Sequence, residues 1–141
     1  MEAIRLEKIY KAPAGKVWKA ITDSEQMKQW YFDLPGFRPE VGYEFEWYGQ
    51  DHDCNKWLHR GKILEIIPGK KLVHSWEYPG YPGLSKITWE LSEVDANTTR
   101  LNFSHEFTVP FDPGMKVFDR NNFAGGWDHF VNKALPGFVE K

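Results

Sequence analysis

Cysteine occurs once, at Cys54. One thiol closes no internal disulfide, so the chain is not a stapled secreted scaffold. A lone thiol suits a reducing compartment, and the expected location is cytoplasmic. Charge of either sign is not in excess: 18 Lys and Arg stand against 20 Asp and Glu, a net charge of −2. Nucleic-acid binders ordinarily carry a strongly basic balance, so no nucleic-acid partner is expected. No apolar run approaches the ~18–20 residues of a membrane span. The opening Met1-Glu2-Ala3-Ile4-Arg5 mixes charges and has no apolar stretch, so it is not read as a signal peptide, and no membrane partner is expected. A phosphate-cradling glycine loop is missing as well, because Gly125-Gly126 stands alone. Repeats, low-complexity tracts and linkers are absent. Residues 1–141 therefore read as one domain, long enough to bury about two-thirds of its unfolded surface.

Aromatic side chains are what the sequence has in quantity. They make up 16% of the 141 residues, seven of them Trp. So many rings imply a bulky core, an aromatic-lined pocket, or both.

The hydrophobic pattern predicts strands and helices in a definite order. Residues 4–10 alternate and read as a strand. Pro13 opens a short helix with Ala14, Val17, Trp18 and Ile21 on one face. Asp23 and Gln26 resemble a capping box for a second short helix that turns Met27, Trp30 and Tyr31 inward. Strands follow. Tyr43, Phe45 and Trp47 alternate with glutamates, and Leu72, His74, Trp76 and Tyr78 alternate in the same way. So do Ile87, Trp89 and Leu91, and then Leu101, Phe103, His105 and Phe107. Such alternation across short connections marks an antiparallel sheet with one covered face. A three-residue loop Asp95-Ala96-Asn97, with Asn97 left-handed, places Trp89 opposite Phe103. Pairing Tyr78 with Ser85 places His74 opposite Trp89. Between Gly61 and Ile67 two faces stay open: Leu64 and Ile66 inward, or Ile63, Glu65 and Ile67. The last element is a helix carrying Phe123, Trp127, Phe130, Ala134 and Phe138, which Pro136-Gly137 should kink or interrupt. The fold class is α+β: a curved antiparallel sheet covered by a long C-terminal helix, with two short helices after the first strand.

This order is the helix-grip arrangement, and specific segments carry a family resemblance. They are Ala12 to Thr22, Met27 to Tyr31, Gly61 to Pro68, Lys71 to Glu77, Thr99-Arg100-Leu101 and Gly126-Trp127. Through them the chain resembles the activator of heat shock protein 90 ATPase homologue-like group of the START/SRPBCC superfamily. The resemblance implies a cavity between sheet and terminal helix, and a binding fold more than a particular reaction.

Several constellations carry candidate chemistry. His74, Trp76, Trp89, Phe103, His105 and Trp127 fall on the face turned to the helix, with Trp30 and Trp47 at the entrance. As a pocket, the tryptophans and Phe103 form walls, and His74 and His105 orient the polar end of a small hydrophobic molecule. The plainer reading is a filled core with two hydrogen-bonded histidines. Proton chemistry at either histidine needs a partner, and Glu65 is the one carboxylate that can share the face. Asp51-His52-Asp53-Cys54 with His59 matches no standard zinc spacing and reads as a polar hairpin loop. Cys54 has no basic surroundings that would make it a nucleophile. Asp128 and His129, adjacent on a helix, diverge and flank its apolar face. No catalytic residue, metal or cofactor is assigned.

The leading expectation is a domain binding a small apolar or aromatic ligand. Two alternatives follow from the resemblance. One is a co-chaperone-like protein with a chaperone as partner, ranked lower because the sequence carries no additional N-terminal domain. The other is a cyclase- or dehydratase-type enzyme in the same cavity. Open sheet edges allow a monomer or a homodimer.

Overall fold

The computed structural model describes residues 1–51, 53–112 and 114–141. Strand β1 (Ile4–Tyr10) leads into helices α1 (Ala14–Thr22) and α2 (Ser24–Trp30). Five strands follow: β2 (Glu44–Gln50), β3 (Lys56–Ile67), β4 (Lys71–Trp76), β5 (Leu84–Asp95) and β6 (Thr98–Val109). The chain then makes a short 3₁₀ turn at Lys116–Phe118 and ends in helix α3 (Arg120–His129), a wide turn over Phe130–Ala134, and α4 (Leu135–Val139). All pairings are antiparallel, in the order β1-β6-β5-β4-β3-β2. The two short helices and the C-terminal helix bury their apolar faces against one side of this sheet, which gives the helix-grip α+β fold.

Register shows where the hydrophobic pattern decides and where it does not. Trp89 pairs with Phe103, as the alternation requires. The device differs from the expected one. The turn has two residues, Ala96-Asn97, and a bulge between Glu93 and Asp95 supplies the extra residue. Asn97 is not left-handed, since Cys54 is the one described non-glycine residue with positive φ. Its backbone N–H instead bonds to the Asp95 carboxylate at 2.9 Å. Between β4 and β5 the pairing is shifted by two residues from the expected one. Trp76 lies opposite Ser85, His74 opposite Ile87 and Leu72 opposite Trp89. Tyr78 lies beyond the end of β4. A two-residue slide keeps every side chain on its face, so alternation alone cannot fix it.

The Gly61–Ile67 ambiguity is resolved by a bulge. Ile63 points in, the register shifts between Ile63 and Glu65, and Ile66 then takes the inward position. Leu64, Glu65 and Ile67 are exposed. Glu65 makes an outward ion pair with Lys71 at 3.5 Å, so it is no partner for an inward histidine. The capping box is also absent: Asp23 stands at the N-cap of α2 without a side-chain hydrogen bond.

The terminal helix passes through Pro136 by a local rearrangement. Its buried stripe is Phe123, Trp127, Val131, Leu135 and Val139, while Phe130, Ala134 and Phe138 are only partly buried. Inward positions every fourth residue drift around an α-helix of ~3.6 residues per turn. The wide turn at Phe130–Ala134 holds them in phase, with Leu135 N–H bonding to Phe130 C=O, five residues back. The next carbonyl, Val131, would need a donor from position 136, where proline has none. Tyr10 in β1 supplies it: its hydroxyl donates to Val131 C=O at 2.6 Å. Burial raises the Tyr10 pKa, which keeps the donor proton in place. The chain therefore stays helical through Pro136, with the regular α-helix interrupted by the wide turn at Phe130–Ala134.

Candidate functional site

The inward side chains form two unlike regions. One is packed around the middle of the sheet. Trp127 on α3 donates its indole N–H to His105 Nδ1 at 2.9 Å, which leaves His105 Nε2 as the protonated nitrogen. That nitrogen lies 2.7 Å from Ser85 Oγ, and Ser85 donates onward to Trp76 C=O at 3.0 Å. Beside it, Trp89 donates to His74 Nε2 at 3.3 Å, and His74 Nδ1 sits 3.0 Å from Ser75 C=O. Each imidazole accepts from an indole and donates to an oxygen, so each is fully used as a neutral ring. Burial pulls the pKa of His74 down to about 4; burial, with His74 as neighbour, pulls that of His105 down to about 3. Protonating either would aim an indole N–H at an N–H⁺.

The second region is open. A cleft of about 470 Å³ lies between α3 and the neighbouring ends of β2, β3 and β4. Aromatic rings form its walls: Phe32, Trp57, Trp76, Tyr78, Phe123, Trp127 and Phe130. Gln50, Asp51, His59, Asn121, Asn122 and His129 add polar groups. Gly125 and Gly126 complete the α3 wall, and a methyl group on either would meet nothing within 4 Å. Glycine inside a helix costs about 1 kcal/mol against alanine. No close packing demands these two, so their effect is to leave the wall bare.

Two side chains organise the cleft. Asp51 Oδ1 accepts from the backbone N–H groups of Asp53 and Asn55, each at 2.9 Å. Its Oδ2 accepts from the Trp57 indole at 2.9 Å and from the Asn55 amide at 3.3 Å. The Trp57 bond, foremost among these, lowers the Asp51 pKa. Asp51 thus fixes the β2–β3 loop and the plane of Trp57. His52 lies outside the described residues, and among those described no group of three or more metal-ligating side chains converges. Cys54 is exposed on this loop.

His59 is 6% exposed and stacks on Trp47 at 5.0 Å, with Tyr78 at 4.7 Å and Trp76 at 5.1 Å. Its Nδ1 lies 2.8 Å from Trp57 C=O, so Nδ1 carries the proton and Nε2 is an acceptor. Burial lowers its pKa to about 4, against the opposing pull of the Trp57 and Trp47 backbone. Gly49, on β2 two residues beyond Trp47, the cross-strand partner of His59, leaves one ring edge uncovered. A side-chain carbon there would come within 2.8 Å of His59 Cε1 and 3.5 Å of Nε2.

Of the eight positions singled out from the sequence, Trp76 and Trp127 face the cleft. Trp30, Trp47, His74 and Trp89 instead line a separate hole of only about 20 Å³. Phe103 and His105 line neither, being sealed in the packed region. Sequence reading missed His59, Trp57 and Phe32 as parts of one wall. His59 reads from the sequence as part of the polar loop; its inward parity with Gly61 and Ile63 is the signal that places it on the wall. The buried Tyr31 hydroxyl and Trp47 indole N–H have no hydrogen-bond partner among the described residues, and both side chains line the small hole.

With the geometry established, comparison with known proteins places the chain. The family described as Activator of Hsp90 ATPase homolog 1-like protein matches residues 11–140. The chain belongs to this family. Solved structures extend the likeness. CalU16 from Micromonospora echinospora is 28% identical with a TM-score of 0.74, over 97% of this chain and 75% of that one. DynU16, from the dynemicin biosynthetic locus, is 21% identical with a TM-score of 0.78, over 100% of this chain and 48% of that one. CV1439 from Chromobacterium violaceum is 20% identical with a TM-score of 0.79, over 99% and 97%. No curated protein matches the sequence. Among the described residues of this family member, no helix is long and apolar enough to cross a membrane.

Proposed function

We propose that the chain is a binding domain for a small, largely aromatic molecule, held in the cleft between α3 and the β2–β4 ends. The carrying observation is the aromatic cleft itself, about 470 Å³ and bare along Gly125-Gly126. Small-molecule sites commonly enclose ~300–1,000 Å³ with apolar walls and a few placed polar groups. The walls are pre-formed: Asp51 holds Trp57, and Tyr78 Oη accepts the Trp76 indole N–H at 3.0 Å. Pre-formed walls lower the ordering cost of binding. DynU16, of the same fold, comes from a biosynthetic locus, which is in keeping with this reading.

Thermal-shift screening against aromatic compounds tests it, because a ligand of the folded state raises Tm with concentration. The expected result is a saturable rise that disappears in a folded Gly126→Trp variant, whose indole fills the cleft. A rise of equal size in that variant would place binding elsewhere and refute the cleft assignment.

A further inference from the structure

The cleft's charge and hydrogen-bonding groups narrow what it takes, an argument that rests on the binding reading above. Among the described residues, no Lys or Arg lines it. Its one carboxylate among the described residues, Asp51, is held in the ionised form by four hydrogen bonds from the loop and Trp57. A ligand carboxylate entering here loses water, gains no cation, and meets a like charge, which is a costly combination in an aromatic enclosure.

His59 supplies the complementary preference. Its Nδ1 is committed to Trp57 C=O, and its Nε2 makes no hydrogen bond to any described residue. The side chain is buried within an aromatic box, yet it lines the cleft. Gly49 keeps the Cε1–Nε2 edge uncovered: any side chain there would sit against it, and the glycine's backbone conformation does not by itself require glycine. An acceptor that faces the cleft without a protein partner discriminates in favour of a donor, because a ligand that covers it and lacks one leaves it desolvated.

We infer that the cleft selects neutral or cationic aromatic molecules bearing a hydroxyl or amine, that His59 Nε2 accepts that group's hydrogen, and that matched carboxylates are rejected. Donor specificity thus resides in one histidine on β3, and the rings around it set only shape.

Calorimetric titration of the full chain at pH 7.5 with four naphthalene probes tests this. The probes are 2-naphthalenemethanol, 2-(aminomethyl)naphthalene, 2-methoxynaphthalene and 2-naphthoate. The alcohol and amine are expected to bind about 10-fold or more tightly than the methyl ether and the carboxylate, the scale of one well-placed hydrogen bond. His59→Phe keeps the ring stacking and should bring alcohol and ether to equal affinity. Since that variant can also lose its fold, a second readout uses the unaltered protein. The ¹⁵N resonance of His59 Nε2 should move on adding the alcohol and stay in place on adding the ether. Equal affinity for all four probes, or an unmoved Nε2 resonance with bound alcohol, overturns the donor rule and leaves the cleft assignment standing. No binding by any probe at millimolar concentration, with Tm unchanged across the broader screen, overturns both.

Discussion

The packed centre and the open cleft are built from the same residue types, tryptophan, phenylalanine and histidine, and end up with opposite properties. The difference lies in what meets each imidazole. His74 and His105 each face an indole N–H from one side and an oxygen from the other. No valence is left over, and the surrounding rings close to a hole of about 20 Å³. His59 has its oxygen but no indole donor, and the residue beside its free edge is glycine. A histidine in an aromatic setting is thus structural or available according to whether a second ring reaches it.

The largest test of this comparison is acid. All three imidazoles are held neutral, with pKa values of about 4, 4 and 3 against an ordinary 6.5. The unfolded chain therefore binds more protons than the folded one between those values. Stability should be complete above pH 6.5 and fall as pH drops from there toward 4, by on the order of 1.4 kcal/mol per unit for each histidine. Urea midpoints at pH 7.5, 5.5 and 4.5 measure it. A flat response would mean that the packed histidines are not enclosed as described.

Next in size is Trp127→Ala. Removing this ring opens a cavity and strips His105 Nδ1 of its donor, for an expected loss of about 3–5 kcal/mol in urea unfolding. Trp57→Ala, in the partly exposed cleft wall, should cost clearly less, and equal losses would erase the distinction between the regions. Tyr10→Phe is smaller again. It leaves Val131 C=O unpaired beside Pro136, and the expected cost is about 1–3 kcal/mol. If the hydroxyl is what lets the helix pass the proline, Pro136→Ala in the same background should recover part of that loss. The smallest effect has the opposite sign. Gly126→Ala should stabilise the chain by about 1 kcal/mol. A destabilised Gly126→Ala variant would show that the bare wall is a packing necessity and weaken the case for a cleft kept open.

Much of the fold was legible before any coordinates. Alternation placed Phe45, Trp47, Leu72, His74, Trp76, Ile87, Trp89, Leu101, Phe103 and His105 on the buried face, and all are buried. It also gave the pairing of Trp89 with Phe103. Period-two patterning reports a face and a parity, which is why it succeeded there. It is silent on slides of two residues, so it allows His74 opposite Trp89, whereas the cross-strand neighbour of His74 is Ile87. It is equally silent on bulges, so neither reading of Gly61–Ile67 anticipated the change of face after Ile63. On the terminal helix a simple 3.6-residue stripe picked Phe130 and Phe138, because the wide turn that brings Val131 and Val139 inward leaves no mark in hydrophobicity.

The sequence by itself determined the order of elements, the buried face of the regularly alternating strands and the family resemblance, because these depend on local period and on residues close along the chain. Only the tertiary structure decided which aromatics close on one another and which stand apart. Whether an indole reaches an imidazole depends on distances between strands and helices set by bulges, slides and the wide turn at Phe130–Ala134. Those small offsets sealed His105 in the core and left His59 on the wall of a cleft.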